Sequence, residues 1–322
     1  MKFDQKIYLS DGDLDVLTVG ELLIDFISTD YVMELKSAVH FQKVFGGSPG
    51  NIAVNLSGMG FQTAVIASVG KDEFGDYIQA FLEQRQVNAE GLQRVEEATS
   101  MIFVTKSMEN PKYLPVRNAD YCLVDKTIHY QLIDRCKIFH FTAWALSMPN
   151  IRAVTMDLVQ YARSHQKLIT FDPNFRQNLW EKNHDGAAWI RQHVMPLVDI
   201  IKPSEVDAAN IWNIKDSLDE NQLIGLSHKE DMTIILTRGE RGLTAYSGGE
   251  SVSMPSCADI VVDTTGAGDA FWAGFLASVL MDHTIHEALK HGSQSAGYNL
   301  GFVGAISDLP LPNKFEEEPL CE

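Results

Sequence analysis

The chain has 322 residues, 45% hydrophobic and 21% charged, enough to bury one large core or two smaller ones. Its 43 acidic residues against 26 basic ones give a formal charge of −17, which argues against a nucleic acid or an anionic membrane as main partner. Any anionic substrate must therefore meet a locally basic site. The N-terminus "MKFDQKIYLSDGDLD" has no apolar core behind a charged start, and no stretch approaches the roughly 20 apolar residues of a spanning helix, so a cytoplasmic protein is expected. Cys122, Cys136, Cys257 and Cys321 are scattered without zinc or C-x-x-C spacing, and four reduced thiols are expected.

The first apolar run, "DVLTVG" at 15–20, reads as a strand buried on both faces, and "GELLIDF" places Glu21 and Asp25 just after it. Asp25 sits between Ile24 and Phe26, so its carboxylate is either turned outward or aimed at paired hydroxyls of a ligand. Residues 22–44 leave the pattern for polar–apolar alternation. In "VFGGSPGNIAVNLSGMG", 44–60, Gly46, Gly47 and Gly50 allow close backbone approach. Asn51 opens the next helical pattern there, either as a cap or as an amide for a hydroxyl-rich ligand. "TAVIASVG" at 63–70 is a second buried strand, followed by a helix from 75. Residues 99–120 alternate again, as in "SMIFVTK" and "KYLPVRN". With 22–44 they suit a small separate sheet, as a lid or as a plain hairpin excursion.

From there the rhythm is regular: "KIFHF" at 137–141, a helix from 150, "KLITF" at 167–171, "VDIIK" at 198–202, "SEVDAANIWN" from 204 and "MTIILT" at 232–237. Strands alternating with helices predict one α/β domain over 1–322, with a largely parallel sheet flanked by helices. The stretch "DTTGAGDAFWAGF", 263–275, then puts Gly266 and Gly268 at the head of a helix apolar nearly all round. Such a head attracts phosphate through its unpaired N–H groups. Asp269 is out of place in a plain phosphate cradle. It either complements the helix end or accepts a proton from a hydroxyl that attacks the phosphate.

Other motifs fail. There is no G-x-x-x-x-G-K-[ST] and no G-x-S-x-G, and Phe271 occupies the third glycine position of a dinucleotide fingerprint. "HEALKH" at 286–291 spaces its histidines five apart, which turns His291 off the face of His286 and suits a solvated helix surface rather than zinc. The terminal "KFEEEPLCE" is acidic and expected to fray.

The two glycine clusters together resemble the ribokinase-like carbohydrate kinases of the PfkB family, over nearly the whole chain. Gly46 to Ala53, with Gly60 and Gly70, matches the family's N-terminal signature, and Asp263 to Asp269, with Ala273 to Leu276, matches its C-terminal one. The resemblance implies a doubly wound α/β fold with a small β-sheet lid, and ATP with Mg2+ as cosubstrate and cofactor. It implies that Asp269 is the base and that Gly266, Ala267 and Gly268 form an anion hole. By the same resemblance Asp25, Gly47 and Asn51 match sugar-binding positions, and "TRGERG", with Thr237, Gly239 and Gly242, matches a nucleotide loop. Lys202 and Ser204 in "KPSEVD" are expected to bind the nucleotide as well. The family's Asn-x-x-Glu motif reads Ser204-Glu205-Val206-Asp207 here, which leaves Asp207 by register or Glu205 by residue type to organise the metal's waters. Asp263 and Thr265 match a monovalent-cation site, K+.

"FDPNFRQNLW" at 171–180 resembles a stretch shared by fructokinases and 2-keto-3-deoxygluconate kinases, and "PVRNADYCL" resembles the fructokinase lid. Arg117 and Arg176 are then candidates to reach a sugar or phosphate oxygen, with a structural salt bridge as the alternative for each. The expected activity is a fructokinase; a sugar-acid kinase and a catalytically silent sugar-binding protein are the other readings. Apolar strand edges in the lid lead us to expect a homodimer.

Overall fold

The computed structural model of the chain describes residues 1–106, 112–214 and 221–317. Part of the 99–120 segment and the end of the acidic tail lie outside them. In chain order the strands are β1 (Leu14–Val19), β2 (Leu23–Tyr31), β3 (Phe41–Gly46), β4 (Thr63–Gly70), β5 (Asn88–Val95), β6 (Met101–Lys106), β7 (Tyr113–Val116), β8 (Cys136–Thr142), β9 (Leu168–Asp172), β10 (Ile200–Ile201), β11 (Thr233–Thr237), β12 (Leu243–Ser247) and β13 (Glu250–Met254). Nine of them form one sheet in the order β13-β12-β11-β10-β9-β8-β1-β4-β5. Pairing is parallel from β11 to β5, and only β12 and β13 run antiparallel at one edge. The other four make a small sheet, β3-β2-β6-β7.

Helices join the parallel strands and cover both faces of the main sheet. They are α1 (Ser48–Gly58), α2 (Glu73–Gln84), α3 (Thr127–Arg135), α4 (Pro149–Ser164), α5 (Gly186–His193), α6 (Glu205–Trp212), α7 (Asn221–Lys229), α8 (Ala267–Leu280), α9 (Ile285–Leu300) and the short α10 (Lys314–Glu317). The strands alternate their side chains between two cores. Leu17, Phe139 and Ile169 pack with α3 to α7, whereas Val16, Ile138 and Leu168 pack with α1, α8 and α9. Helix α8 lies in the middle of that second face, and Ala270 to Val279 are all buried.

Some local expectations need correction. Helix α1 starts at Ser48, with Gly47 as its N-cap, so Asn51 lies inside the helix and caps nothing. The "HEALKH" stretch is half right: His286 is exposed, but His291 is buried and within hydrogen-bonding distance of the Ser278 hydroxyl, at 2.8 Å. Cys122 and Cys136 are free thiols, while Cys257 is disulfide-bonded, which corrects the expectation of four reduced thiols. Among the described residues, no helix is long and apolar enough to cross a membrane.

The order of the main sheet reverses between β1 and β8. After β1 the chain goes to β4 and β5 on one side and returns to β8 through β11 on the other. In open α/β sheets a ligand crevice forms at the carboxyl ends of the strands beside such a reversal.

Candidate active site

A cleft of about 560 Å³ opens there, lined by Glu21 after β1, Asp172 at the end of β9, Lys202 after β10 and Thr237 at the end of β11. Leu23 and Asp25 of β2 and Ile102 of β6 bring the small sheet to the same cleft, and Gly266, Gly268 and Asp269 bring the head of α8. The fold thus gathers in one place two glycine clusters that lie more than two hundred residues apart in sequence.

Gly266 is the N-cap of α8, with φ 75°, and a Cβ there would collide with Ala305. The next N–H groups of the helix face the cleft end without intrahelical partners, and the helix dipole adds partial positive charge. Asp269, in the first turn, does not cap its own helix. Its Oδ1 accepts from the Ser48 hydroxyl at 2.6 Å and its Oδ2 from Asn51 Nδ2 at 2.8 Å. Burial pushes its pKa up to about 6, against the Ser48 and Asn51 hydrogen bonds and Lys202, which lower it, and with Asp172, which raises it. The residue as a whole is half-buried and lines the cleft.

Two more carboxylates share this environment. Asp25 makes no hydrogen bond or ion pair among the described residues, and burial, with Asp269 as the nearby like charge, raises its pKa to about 7. Glu21 is fully buried and raised by burial to about 8, although it accepts from Ser48 N at 3.3 Å and Thr142 Oγ1 at 3.0 Å. Asn51 Oδ1 is buried with no hydrogen-bond partner among the described residues, an acceptor free for a hydroxyl.

The positive charge of the cleft comes from two residues. Lys202 is buried and pairs with Asp172 at 2.9 Å, and Asp172 also takes the Trp272 indole N–H at 2.9 Å. A Cβ on Gly268 would touch Lys202 Nζ, so the ammonium stands beside the head of α8. Arg176 also lines the cleft. Its guanidinium has one hydrogen bond among the described residues, Nη1 to the Phe175 carbonyl at 2.9 Å, and no ion pair.

Other predicted residues sit elsewhere. Arg117 does not line the cleft: it pairs with buried Asp120 at 2.6 Å, donates to Ser147 Oγ at 2.6 Å and stacks over Trp144, whose indole N–H also goes to Asp120. Trp144, behind which Arg117 lies, is the residue that faces the cleft. Glu205 points away to Arg241 at 2.5 Å, whereas Asp207 lines the cleft. Asp207 completes a capping box with Ser204 and accepts from Phe175 N at 2.7 Å. Gly239 and Gly242 turn between β11 and β12 with φ of 56° and 77°, and Thr237, Ser204 and Lys202 line the cleft beside that turn. Asp263 accepts from Thr265 N and Thr265 Oγ1 within its own loop and from Gly304 N in the segment after α9, at 2.8 to 2.9 Å.

Sequence reasoning left Glu21, Asp172, Trp144 and Ser48 without roles. The signal for the first three was position, since each directly follows or ends a buried strand whose carboxyl end faces the cleft. Ser48 carried no separate signal; only the approach of α8 to α1 gives it a partner.

Comparisons with known proteins agree with this geometry. The sequence profile of the "pfkB family carbohydrate kinase" family matches residues 13–312. The chain is 39% identical to an ATP-dependent 6-phosphofructokinase of Thermoanaerobacterium thermosaccharolyticum, over 96% of this chain and 94% of that protein. Its structure is similar to that of Halothermothrix orenii fructokinase, with a TM-score of 0.77 and 34% identity, covering 91% of this chain and 100% of the other. It is also similar to a sugar kinase from Pyrococcus horikoshii in complex with ATP, with a TM-score of 0.81 and 28% identity, covering 95% and 98% of the two chains. With the fold, both glycine clusters and the match over nearly its full length, the chain belongs to the pfkB family of carbohydrate kinases and is an ATP-dependent sugar kinase.

Proposed function

We propose that the enzyme transfers the γ-phosphoryl group of ATP to a primary hydroxyl of fructose, with Asp269 accepting the hydroxyl proton. The observation that carries this reading is the Asp269 carboxylate, held by Ser48 and Asn51 at the head of α8. A pKa near 6 leaves it ionised at neutral pH yet basic enough to take a proton. The N–H groups of Gly266, Ala267 and Gly268, with Lys202 Nζ beside them, stabilise charge on the phosphoryl oxygens during in-line transfer. Asp25, Asn51 and the turn at Gly47 hold the sugar hydroxyls. Thr237, Ser204 and the Gly239–Gly242 turn hold the nucleotide phosphates. Ile260 to Val262, tied to α9 by Val262 N donating to Leu300 O, and Phe302 and Val303 are exposed apolar residues that suit the base.

Among the described residues no cluster of three or more metal-ligating side chains exists, which fits a Mg2+ carried in by ATP and held mainly by phosphates and waters. Asp207, with both oxygens already engaged, would reach it through water. An ion held there would supply neutralisation of the phosphate charge. K+ fits less well, because Asp263 already spends Oδ1 on Thr265 and Oδ2 on Gly304 N, and no step is derived through it. The small sheet serves as a lid over the sugar, and its exposed apolar residues support a homodimer.

A second reading has specific support: the acceptor is fructose 6-phosphate. The 39% identical relative is a 6-phosphofructokinase, and Arg176 offers an unpaired guanidinium that suits a phosphate, or the carboxylate of a sugar acid. ADP release with fructose, fructose 6-phosphate and 2-keto-3-deoxygluconate separates the readings. Preference for fructose is expected, with kcat reduced by about 10²–10⁴ in Asp269→Asn. Preference for an anionic acceptor that Arg176→Ala removes would replace fructose and keep the mechanism. Substantial turnover by Asp269→Asn would remove the base.

A further inference from the structure

Ser48 is tied down at both of its polar ends. Its backbone N–H donates to Glu21 Oε1 at 3.3 Å, and its hydroxyl donates to Asp269 Oδ1 at 2.6 Å. Glu21 is anchored in turn to β8 through Thr142, and the next residue, Pro49, accepts from Thr18 Oγ1 of β1 at 3.0 Å. The turn that aims Ser48 requires glycine at 47, where φ is 107° and a Cβ would collide with the Glu21 carbonyl oxygen. Two strands of the main sheet thus fix one hydroxyl, and its proton goes to the carboxylate of Asp269.

Resting on the reading of Asp269 as the base, we propose that Ser48 is a positioning residue for the reaction: it holds Asp269 in one rotamer and stabilises its ionised form. A donor to a carboxylate favours the charged state, and its loss raises the pKa. Asn51 does the same for the other oxygen, so removing Ser48 leaves half of the donor set. The charged and titratable groups around Asp269 are Asp25 from β2, Asp172 from β9 and Lys202 after β10, with Glu21 behind Ser48, and Arg176 and Asp207 elsewhere in the cleft lining. All of them remain when the hydroxyl is deleted, so a change in titration isolates it.

The test is the pH dependence of kcat/KM for the accepted sugar at saturating Mg-ATP. In Ser48→Ala the acid limb is expected to move up by about one pH unit, giving about tenfold loss below the limb and little loss above it. Ser48→Thr, which keeps the hydroxyl, is expected to restore the parent limb. An acid limb that does not move, or a loss equal at every pH, overturns the proposal, since a merely structural role predicts either. If Ser48→Ala does not fold, Ser48→Cys supplies the readout: its weak donor is expected to shift the limb upward by less, and an unmoved limb overturns the proposal there too. Asp269→Asn keeps the two readings apart. Inactivity of Asp269→Asn beside an unmoved limb in Ser48→Ala sinks only the role of Ser48, whereas an active Asp269→Asn sinks the base and Ser48 with it.

Discussion

Glu21, Asp25 and Asp269 carry pKa values raised to about 8, 7 and 6, in each case chiefly by burial. A carboxylate raised on folding contributes stability below its unfolded pKa and loses it as pH rises through the folded value. These three groups therefore cost the ligand-free enzyme stability progressively as pH rises from about 4 to about 8, the reverse of a salt-bridged carboxylate. Glu21→Gln keeps an acceptor for Ser48 N and removes the ionisation. We expect its melting temperature at pH 8 to exceed that of the parent by a few degrees, on the order set by the entropy of unfolding, and to match it near pH 5. Equal pH slopes in thermal unfolding would mean that Glu21 is not the group that titrates. Carboxylates buried without an ion pair are a feature of reacting sites, where a shifted pKa serves the chemistry at the expense of stability.

Helix α8 suits the proposed anion hole because its apolar circumference lets it be buried along nearly its whole length, and a buried helix holds its first turn still. Its close packing on α9 depends on Gly274, where a Cβ would strike Ser295 and the His291 carbonyl. Gly274→Ala should cost about 1–3 kcal/mol by overpacking while leaving the pH profile of surviving activity unchanged. Gly266→Ala differs in kind. Its left-handed φ and the collision with Ala305 bend the head of the helix itself, so turnover should fall more than stability. Denaturant unfolding and kcat measured on both variants check the contrast. At this scale the sequence was readable where apolar runs were unbroken, and β12, buried throughout but mixed in "LTAYS", was not read. All six short apolar runs became parallel strands, but β5, with mostly half-exposed residues in "NAEGLQRV", lacked a hydrophobic pattern and escaped notice.

For the whole molecule, the small sheet reaches the cleft through Leu23, Asp25 and Ile102, and both the proposed lid and the proposed homodimer rest on it. Its exposed residues include Tyr31 at 59% and Leu114 at 54%, unusual for apolar side chains on a sheet of only four strands. If a second copy covers them, light scattering should give a dimer mass for the parent and a monomer mass for Tyr31→Asp with Leu114→Asp. A monomeric parent would refute the homodimer. Arg117 and Asp120 tie the strand end of this sheet to Trp144 on the wall of the cleft, so the small sheet and the main sheet share a buried polar junction.

The linear sequence determined the α/β class, the glycine turns and the identity of Asp269 as the odd carboxylate at an anion-attracting helix head, because periodicity, glycine conformation and helix polarity are local properties. Its two signatures also carried the family resemblance. What lay beyond it was every relation between distant residues: that Asp269 turns to Ser48 and Asn51 instead of its own helix, that Arg117 is locked behind Trp144 while Arg176 stays open, and that Asp207 rather than Glu205 faces the cleft. Those outcomes depend on which strand ends and helix heads converge at the reversal of the sheet, and on the burial that convergence creates. Hydrogen bonding and pKa follow from that burial, and only the folded chain supplies it.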